Sequence, residues 1–325
     1  MERMPEFRLS RPATCDEAAA LLASEPGARL VAGGTDLVPN LRRGLERPPM
    51  LVDLTAVRDL ADIAAGPDGL VLGAGVTLAQ LASDERFAGR YAAIGEAARS
   101  AAGPGHRTVA TLGGNLCQDT RCVYYNQSEW WRSSNGWCMK RGGDTCHVAP
   151  QGKRCHAAFS GDVAPALIAL GAEVELLGSG GVRRLPLHAC YRDDGAAHLA
   201  FGRDDVLTRV FVPAPAPGWV NGYRKARVRA AMDFPLAGVA VALGVREGLL
   251  AGLHVALTGT NSHPLLLEGT EALVGQPLDE AALATLGKLV QKQVSPMRTT
   301  VTQSNYRRQV AAVFAQRLVR ELAAA

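Results

Sequence analysis

Within its first 55 residues the chain alternates helical and strand-like apolar patterns, which commits its N-terminal part to a small α/β unit. The opening reads β-α-β-α-β. Thr14-Cys15-Asp16-Glu17 has the form of a capping box ahead of the Ala/Leu-rich run to Leu22. Leu30-Val31-Ala32 is a short strand ending at Gly33-Gly34. A helix from about Thr35-Asp36 tolerates Pro39 near its first turn and stops at Gly44, and Leu51-Val52-Asp53-Leu54 is the next strand.

Beyond this unit the pattern changes to paired strands. Ile63-Ala64 and Leu70-Val71-Leu72 flank Gly66-Pro67-Asp68-Gly69, a hairpin signal. Helices are expected near Leu78–Ala82, Ile94–Ala102 and Val163–Leu170, and a second hairpin at Glu173–Leu177 and Val182–Leu185. Ala214-Pro215-Ala216-Pro217-Gly218 is the best linker. Gly238–Val245 and Leu250–Leu257 pair around Glu247-Gly248, and helices close the chain at Glu280–Gln291 and Val301–Leu322.

With 47% hydrophobic residues in 325, the chain can bury a sizeable core without covalent staples. The net charge of +4 is small, and no Lys/Arg run or basic–aromatic stripe marks a nucleic-acid surface. Met1–Arg11 lacks an apolar signal region and no run is long enough to span a membrane, so the expectation is a cytoplasmic protein.

The seven cysteines are unevenly placed: Cys15 and Cys190 stand alone, whereas Cys117, Cys122, Cys138, Cys146 and Cys155 crowd together. An odd count without a signal peptide argues against a disulfide framework, and in a reducing compartment such crowding more often means metal. Spacing leaves the metal open. Cys-x15-Cys-x7-Cys-x8-Cys, from Cys122 to Cys155, lacks the tight pairs of structural zinc and does not match a bacterial ferredoxin run.

Two glycine pairs sit where apolar runs meet the next element. Gly33-Gly34 offers backbone N–H groups at a helix start, and Thr108, Thr111 and Gly113-Gly114-Asn115 offer a second set. Two such loops converging suit the pyrophosphate of a dinucleotide. Gly73-Ala74-Gly75 is no Rossmann fingerprint, because Leu78 stands where the third glycine belongs.

These motifs carry a family resemblance. Ala32-Gly33-Gly34-Thr35-Asp36-Leu37, Thr111-Leu112-Gly113-Gly114-Asn115, Gly161-Asp162-Val163-Ala164-Pro165-Ala166-Leu167, and Lys225, Arg229 and Asp233 in a Lys-x3-Arg-x3-Asp segment follow in order along the chain. The sequence resembles the FAD-binding subunits of the xanthine oxidase and carbon monoxide dehydrogenase family. The resemblance implies that Ala32, Gly33, Gly34, Thr35, Asp36 and Leu37 wrap the FAD pyrophosphate. It implies that Thr108, Thr111, Gly114 and Asn115 complete the cradle, that Asp162 bonds the ribityl or adenosine side, and that Lys225 lies near the flavin ring. A cation there favours anionic reduced flavin. His106-Arg107-Thr108 departs from the family's Ile-Arg-Asn, so Thr108 replaces the missing Asn only in part.

In the family, the Gly-Gly-Asn motif stands close before the Gly-Asp-x-Ala-Pro-Ala helix. Here 47 positions separate Asn115 from Asp162, which implies an insert within 117–160. It holds Cys122, Cys138, Cys146, Cys155 and three of the four tryptophans, Trp130, Trp131 and Trp137, expected to form a small core. With Cys117-Gln118-Asp119-Thr120-Arg121-Cys122 and Tyr125-Asn126-Gln127-Ser128-Glu129-Trp130-Trp131-Arg132, it is similar to the insert of one subgroup, the flavoprotein subunits of 4-hydroxybenzoyl-CoA reductases. That implies a [4Fe–4S] cluster on Cys122, Cys138, Cys146 and Cys155, with Cys117 spare and His147 and His156 outside the ligand set.

The implied function is an electron relay with no substrate pocket on this chain. A ferredoxin-type low-potential donor would feed the cluster and FAD, then a small [2Fe–2S] partner and a large molybdopterin-binding partner, in a dimer of heterotrimers. There an aromatic acyl-CoA would lose its para hydroxyl. Rival readings are an outward-running aryl or purine hydroxylase subunit with a zinc or structural insert, a standalone NAD(P)H-dependent FAD reductase, and a non-catalytic scaffold. The expected fold is α+β. A two-part, vanillyl-alcohol-oxidase-like FAD-binding domain (1–216, split at 55/56) carries the iron–sulfur insert. A C-terminal antiparallel sheet with helices on one face (217–325) follows.

Overall fold

The computed structural model describes residues 4–298 and 301–324. Its strands form three sheets. The N-terminal unit is parallel, with β3 (Met50–Asp53) between β1 (Arg8–Ser10) and β2 (Arg29–Val31). Helix Cys15–Ser24 crosses over between β1 and β2, capped by Thr14 Oγ1 accepting from Glu17 N at 3.2 Å. Its Ala18, Ala19 and Leu22 bury a small core with Met50, Val52 and Val206.

The second sheet is antiparallel, in the order β4 (Ile63–Gly66), β5 (Gly69–Gly73), β8 (Val206–Pro213), β6 (Glu173–Gly178), β7 (Gly181–Pro186). Both expected hairpins are its outer pairs. The central strand β8 is absent from the sequence reading, although Val206, Val210 and Val212 are buried on it. Its pairing with both hairpins makes one sheet of two local units.

The third sheet orders β12 (Leu265–Leu266), β11 (Leu249–Thr258), β10 (Ala237–Arg246), β9 (Trp219–Ala226). Side chains alternate across a strand, and here the faces differ in size. Val239, Val241 and Leu243 on β10, with Leu253, Val255 and Leu257 on β11, meet helices Glu280–Gln293 and Ser304–Ala323. Ala240, Ala242 and Ala256 face the opposite way, into a core shared with helices Ala92–Ser100 and Val163–Ala169. The small side chains let those helices approach closely. β9, also absent from the sequence reading, supplies Tyr223 and Lys225 from this sheet.

The final helix begins at Ser304, three residues after the expected Val301. None of the described helices is long and apolar enough to cross a membrane.

Candidate functional site: glycine loops and the cysteine-rich insert

β2 ends at Val31, and the chain turns through Ala32–Thr35 into the short helix Leu37–Arg42. Gly34 has φ +68°, a conformation that costs most other residues a steric penalty. The second loop, Val109–Thr111, leads into helix Leu112–Leu116, with Thr111 Oγ1 accepting from Gly114 N at 3.1 Å. The two loops touch: a Cβ on Gly33 would stand 1.9 Å from the Val109 carbonyl oxygen. Only glycine permits that approach. Residues 32–37 are half-buried, and Thr108 and Gly114 are exposed. The two helices have six and five residues, so any anion held there would be held by local amides rather than a long helix dipole.

Several side chains assigned to the cradle are engaged by the protein itself. Asn115 Oδ1 accepts from Val163 N at 3.0 Å, tying the loop to the following helix. Thr108 Oγ1 donates to the Gly105 carbonyl at 2.8 Å. Asp36 does not cap its helix. Its carboxylate pairs with Arg121 and accepts from Asp119 N at 2.9 Å.

Asp162 and Lys225, expected at separate parts of the flavin, are brought together. Lys225 Nζ donates to Asp162 Oδ2 at 2.9 Å and to the Ser100 carbonyl at 3.1 Å, with both side chains almost fully buried. Tyr223 O–H donates to Asp162 Oδ1 at 2.7 Å. Burial pushes the Asp162 carboxyl up, and Lys225 and Tyr223 oppose that rise. The pair joins the N-terminus of helix Val163–Ala169 to β9. The remaining members of the Lys-x3-Arg-x3-Asp segment, the exposed Arg229 and the half-buried Asp233, form an ion pair at 3.5 Å.

The insert lies against the first glycine loop and is held there largely by charge. Arg121 pairs with Asp36 and donates to Asn40 Oδ1 at 3.0 Å, and its guanidinium stacks on Phe234 at 5.4 Å. Arg141 Nη2 donates to the Gly44 carbonyl at 3.1 Å, and Arg47 pairs with Glu129 at 2.5 Å. Lys140 pairs with Asp119 at 2.5 Å beneath the Tyr125 ring. The sequence reading singled out none of these cations. The available signal was an excess of Lys/Arg over Asp/Glu in that segment.

The four expected cysteine ligands lie within electrostatic reach of one another. Cys122 feels Cys138 and Cys146, and Cys155 feels Cys122 and Cys146. Tyr124 N points at Cys122 Sγ (3.5 Å) and Ala157 N at Cys155 Sγ (3.4 Å). Burial raises both thiols, Cys155 to about 12. Among the described residues, however, no three His, Cys, Asp or Glu side chains group tightly enough to hold a metal ion. Cys117 lies apart, half-buried near Cys190, and burial pushes its thiol up to about 12.

One expectation about the insert's aromatic residues is corrected. Trp130 is 75% exposed, so the tryptophans do not form one core. Trp131 instead stacks on Tyr124 at 5.8 Å, and Tyr124 on His147 at 5.2 Å. A polar neighbourhood rich in arginine leaves the amphipathic indole of Trp130 at the surface. A separate cavity of about 750 Å³, lined by His188, Tyr191, His254, His263, Glu268 and Glu271, includes none of the expected site residues.

Residues 5–215 match the family described as the FAD binding domain in molybdopterin dehydrogenase, and residues 221–322 the CO dehydrogenase flavoprotein C-terminal domain. The chain belongs to this family. The aldehyde oxidoreductase FAD-binding subunit PaoB of Escherichia coli K12 is 32% identical over 84% of this chain and 87% of its own. The xanthine dehydrogenase FAD-binding subunit of Escherichia coli O157:H7 is 27% identical over 97% and 95%. The solved structure of reconstituted CO dehydrogenase from Oligotropha carboxidovorans superposes with a TM-score of 0.82 at 26% identity, over 99% of each chain. The α+β architecture is therefore that of the CO dehydrogenase medium subunit, and FAD is the family's cofactor.

Proposed function

We propose that this chain is the FAD-carrying electron-transfer subunit of a molybdenum enzyme. Cys122, Cys138, Cys146 and Cys155 would hold a [4Fe–4S] cluster, and the assembled enzyme would reduce an aromatic acyl-CoA of the 4-hydroxybenzoyl-CoA type. Its partners are a large molybdopterin-binding subunit, a small [2Fe–2S] subunit and a low-potential ferredoxin-type donor. Bound FAD and cluster supply electron storage and transfer, and the substrate chemistry belongs to the large partner.

The supporting observation is the donor-rich, acceptor-poor lining of the insert. Among the described residues, Asn40 Nδ2, Gln118 Nε2, Arg121 Nε, Asn126 Nδ2 and Arg132 Nε are buried donors without a hydrogen-bond partner in the chain, all in or against the insert, set against one buried acceptor there, Asp119 Oδ2. Buried donors normally find acceptors, and a thiolate-ligated cluster brings negative charge and sulfur acceptors. The amides aimed at Cys122 and Cys155 favour the thiolate form that a ligand requires. Zinc needs all four sulfurs about 2.3 Å from one ion, whereas a cubane spreads its ligands around a larger body.

Toward FAD, the backbone of Gly33–Leu37 and of Thr111–Gly114 would hold the pyrophosphate. The buried Lys225–Asp162 pair would keep a cation fixed in orientation on the flavin side. Asp36 acts on the cradle indirectly, as the point where the insert grips the loop.

Anaerobically purified complex tests this reading. Iron and acid-labile sulfide in equal amounts, with a [4Fe–4S]⁺ EPR signal after dithionite, are expected. Cys146→Ser should lose the iron and keep the flavin. Zinc in place of iron, or no metal, would overturn it. A second reading, an outward-running hydroxylase subunit with a zinc or structural insert, is favoured by the oxidising enzymes named among the relatives. The same metal analysis decides between the two.

A further inference from the structure

We infer that the cavity at the outer edge of the third sheet binds a small organic amine, its ammonium group held by Glu268 and Glu271 and its apolar body against Leu265 and Leu266. This site is independent of the cluster reading above.

The opening has a local cause. β12 is two residues long and covers only Ala256 and Leu257 of the edge strand β11. Leu267 N then donates to the Val255 carbonyl at 2.8 Å, and contact on that edge resumes at Leu250, whose N donates to the Gln276 carbonyl at 2.9 Å. Gly252–His254 therefore border an opening of about 750 Å³, lined also by His188 and Tyr191, which follow β7 of the second sheet. A cleft of this size between packed units suits a small ligand.

Three observations name its class. Thr270 lines the cavity at 6% exposure, yet its hydroxyl has no hydrogen-bond partner among the described residues. Buried hydroxyls normally find one, so a guest with a polar group fits. The lining is also acidic. Glu268 and Glu271 are exposed, neither is ion-paired among the described residues, and no Lys or Arg lines the cavity. Of the three histidines there, His254 Nδ1 donates to the Ala169 carbonyl at 3.1 Å, which leaves Nε2 an acceptor in the neutral ring. His263 Nδ1 faces Asp193 Oδ1 at 3.2 Å. That leaves one imidazole, His188, against two carboxylates, a lining that favours a cation over a phosphate or carboxylate. A metal ion does not fit, because no three His, Cys, Asp or Glu side chains among the described residues group tightly enough to hold one. Finally, the half-buried Leu265 and Leu266 and the 45% exposed Val274 supply an apolar wall that an organic body would cover.

The test is saturation-transfer difference NMR on the assembled enzyme with benzylamine, benzyl alcohol and benzoate, which share a ring and differ in charge. Benzylamine should bind saturably, benzyl alcohol more weakly, and benzoate not at all. Glu268→Gln with Glu271→Gln should weaken benzylamine on the order of tenfold, to the level of benzyl alcohol. Thr270→Val, which keeps the side-chain shape, should weaken it about threefold. Flavin content and melting temperature should not change in either variant. Benzoate binding as tightly as benzylamine, or benzylamine binding unaltered by the Glu268→Gln, Glu271→Gln change, overturns the site. So does the absence of saturable binding by any probe, including a cavity already closed by a partner subunit.

Discussion

The insert and the C-terminal layer both bury arginine, and they treat it in opposite ways. Arg307, on helix Ser304–Ala323, is 3% exposed and donates to the carbonyls of Leu236, Met297, Pro235 and Gly259. Burial lowers its pKa to about 10, but its donors are satisfied and the apolar core closes around it. Arg121 and Arg132 in the insert each retain a buried Nε–H without an acceptor. No residue from 118 to 158 belongs to any of the three apolar cores. The C-terminal layer is therefore held by burial, whereas the insert is held by charge and by its grip on Asp36. Each kind of stability should fail to a different perturbation.

The largest difference is expected from core truncation. Leu286→Ala, at a site 1% exposed between the two C-terminal helices, should destabilise that layer by about 3 kcal/mol in denaturant unfolding. Trp131→Ala should cost no more than about 1 kcal/mol, because its stacking on Tyr124 is only half-buried. Equal costs would break the comparison.

Acid should act at the base of the insert. His198 is buried against Phe159, with Nε2 3.0 Å from the Gln118 carbonyl oxygen. Burial, and then the charge of Lys140, lowers its pKa to about 4 from an ordinary 6.5. A folded-state value below the unfolded one gives stability that is fully present above pH 6.5 and lost as pH falls towards 4. The loss is roughly 2–3 kcal/mol. His198→Phe should flatten stability against pH over that window, measured as urea midpoints. An unchanged slope would remove His198 as the cause.

The smallest effect is expected at the clasp. Asp36→Asn breaks the half-buried pair with Arg121 and should cost about 1–2 kcal/mol. The expected signature is faster proteolysis within 117–160 and weaker flavin retention, with the C-terminal layer unaffected. Proteolysis at the wild-type rate would show that the insert does not depend on this contact.

Local chemistry made some elements legible and others not. The N-cap at Thr14, both hairpins and the helix starting at Val163 are specified by neighbouring residues, and all were readable, although Glu17 accepts from Ala13 N rather than from the Thr14 backbone. β8 and β9 were not. Val206–Pro213 acquires its place only by pairing with β5 on one side and β6 on the other, partners far away in sequence. At the site, the glycine pairs were readable as turns and the cysteines as a cluster. The roles of Asp36 and Asn115 were not, because their hydrogen-bond partners lie 83 and 48 positions away.

By itself the sequence determined the α/β opening, the family and its flavin, and the crowding of cysteines between the Gly-Gly-Asn motif and the helix that starts at Val163. The tertiary structure decided that Gly33 meets Val109, that Lys225 is paired with Asp162, and that the insert grips the glycine loop through Arg121. Periodicity, capping and composition act over a few residues and are written in the chain. Close approach and charge pairing act through space, and only folding decides which distant residues come within reach.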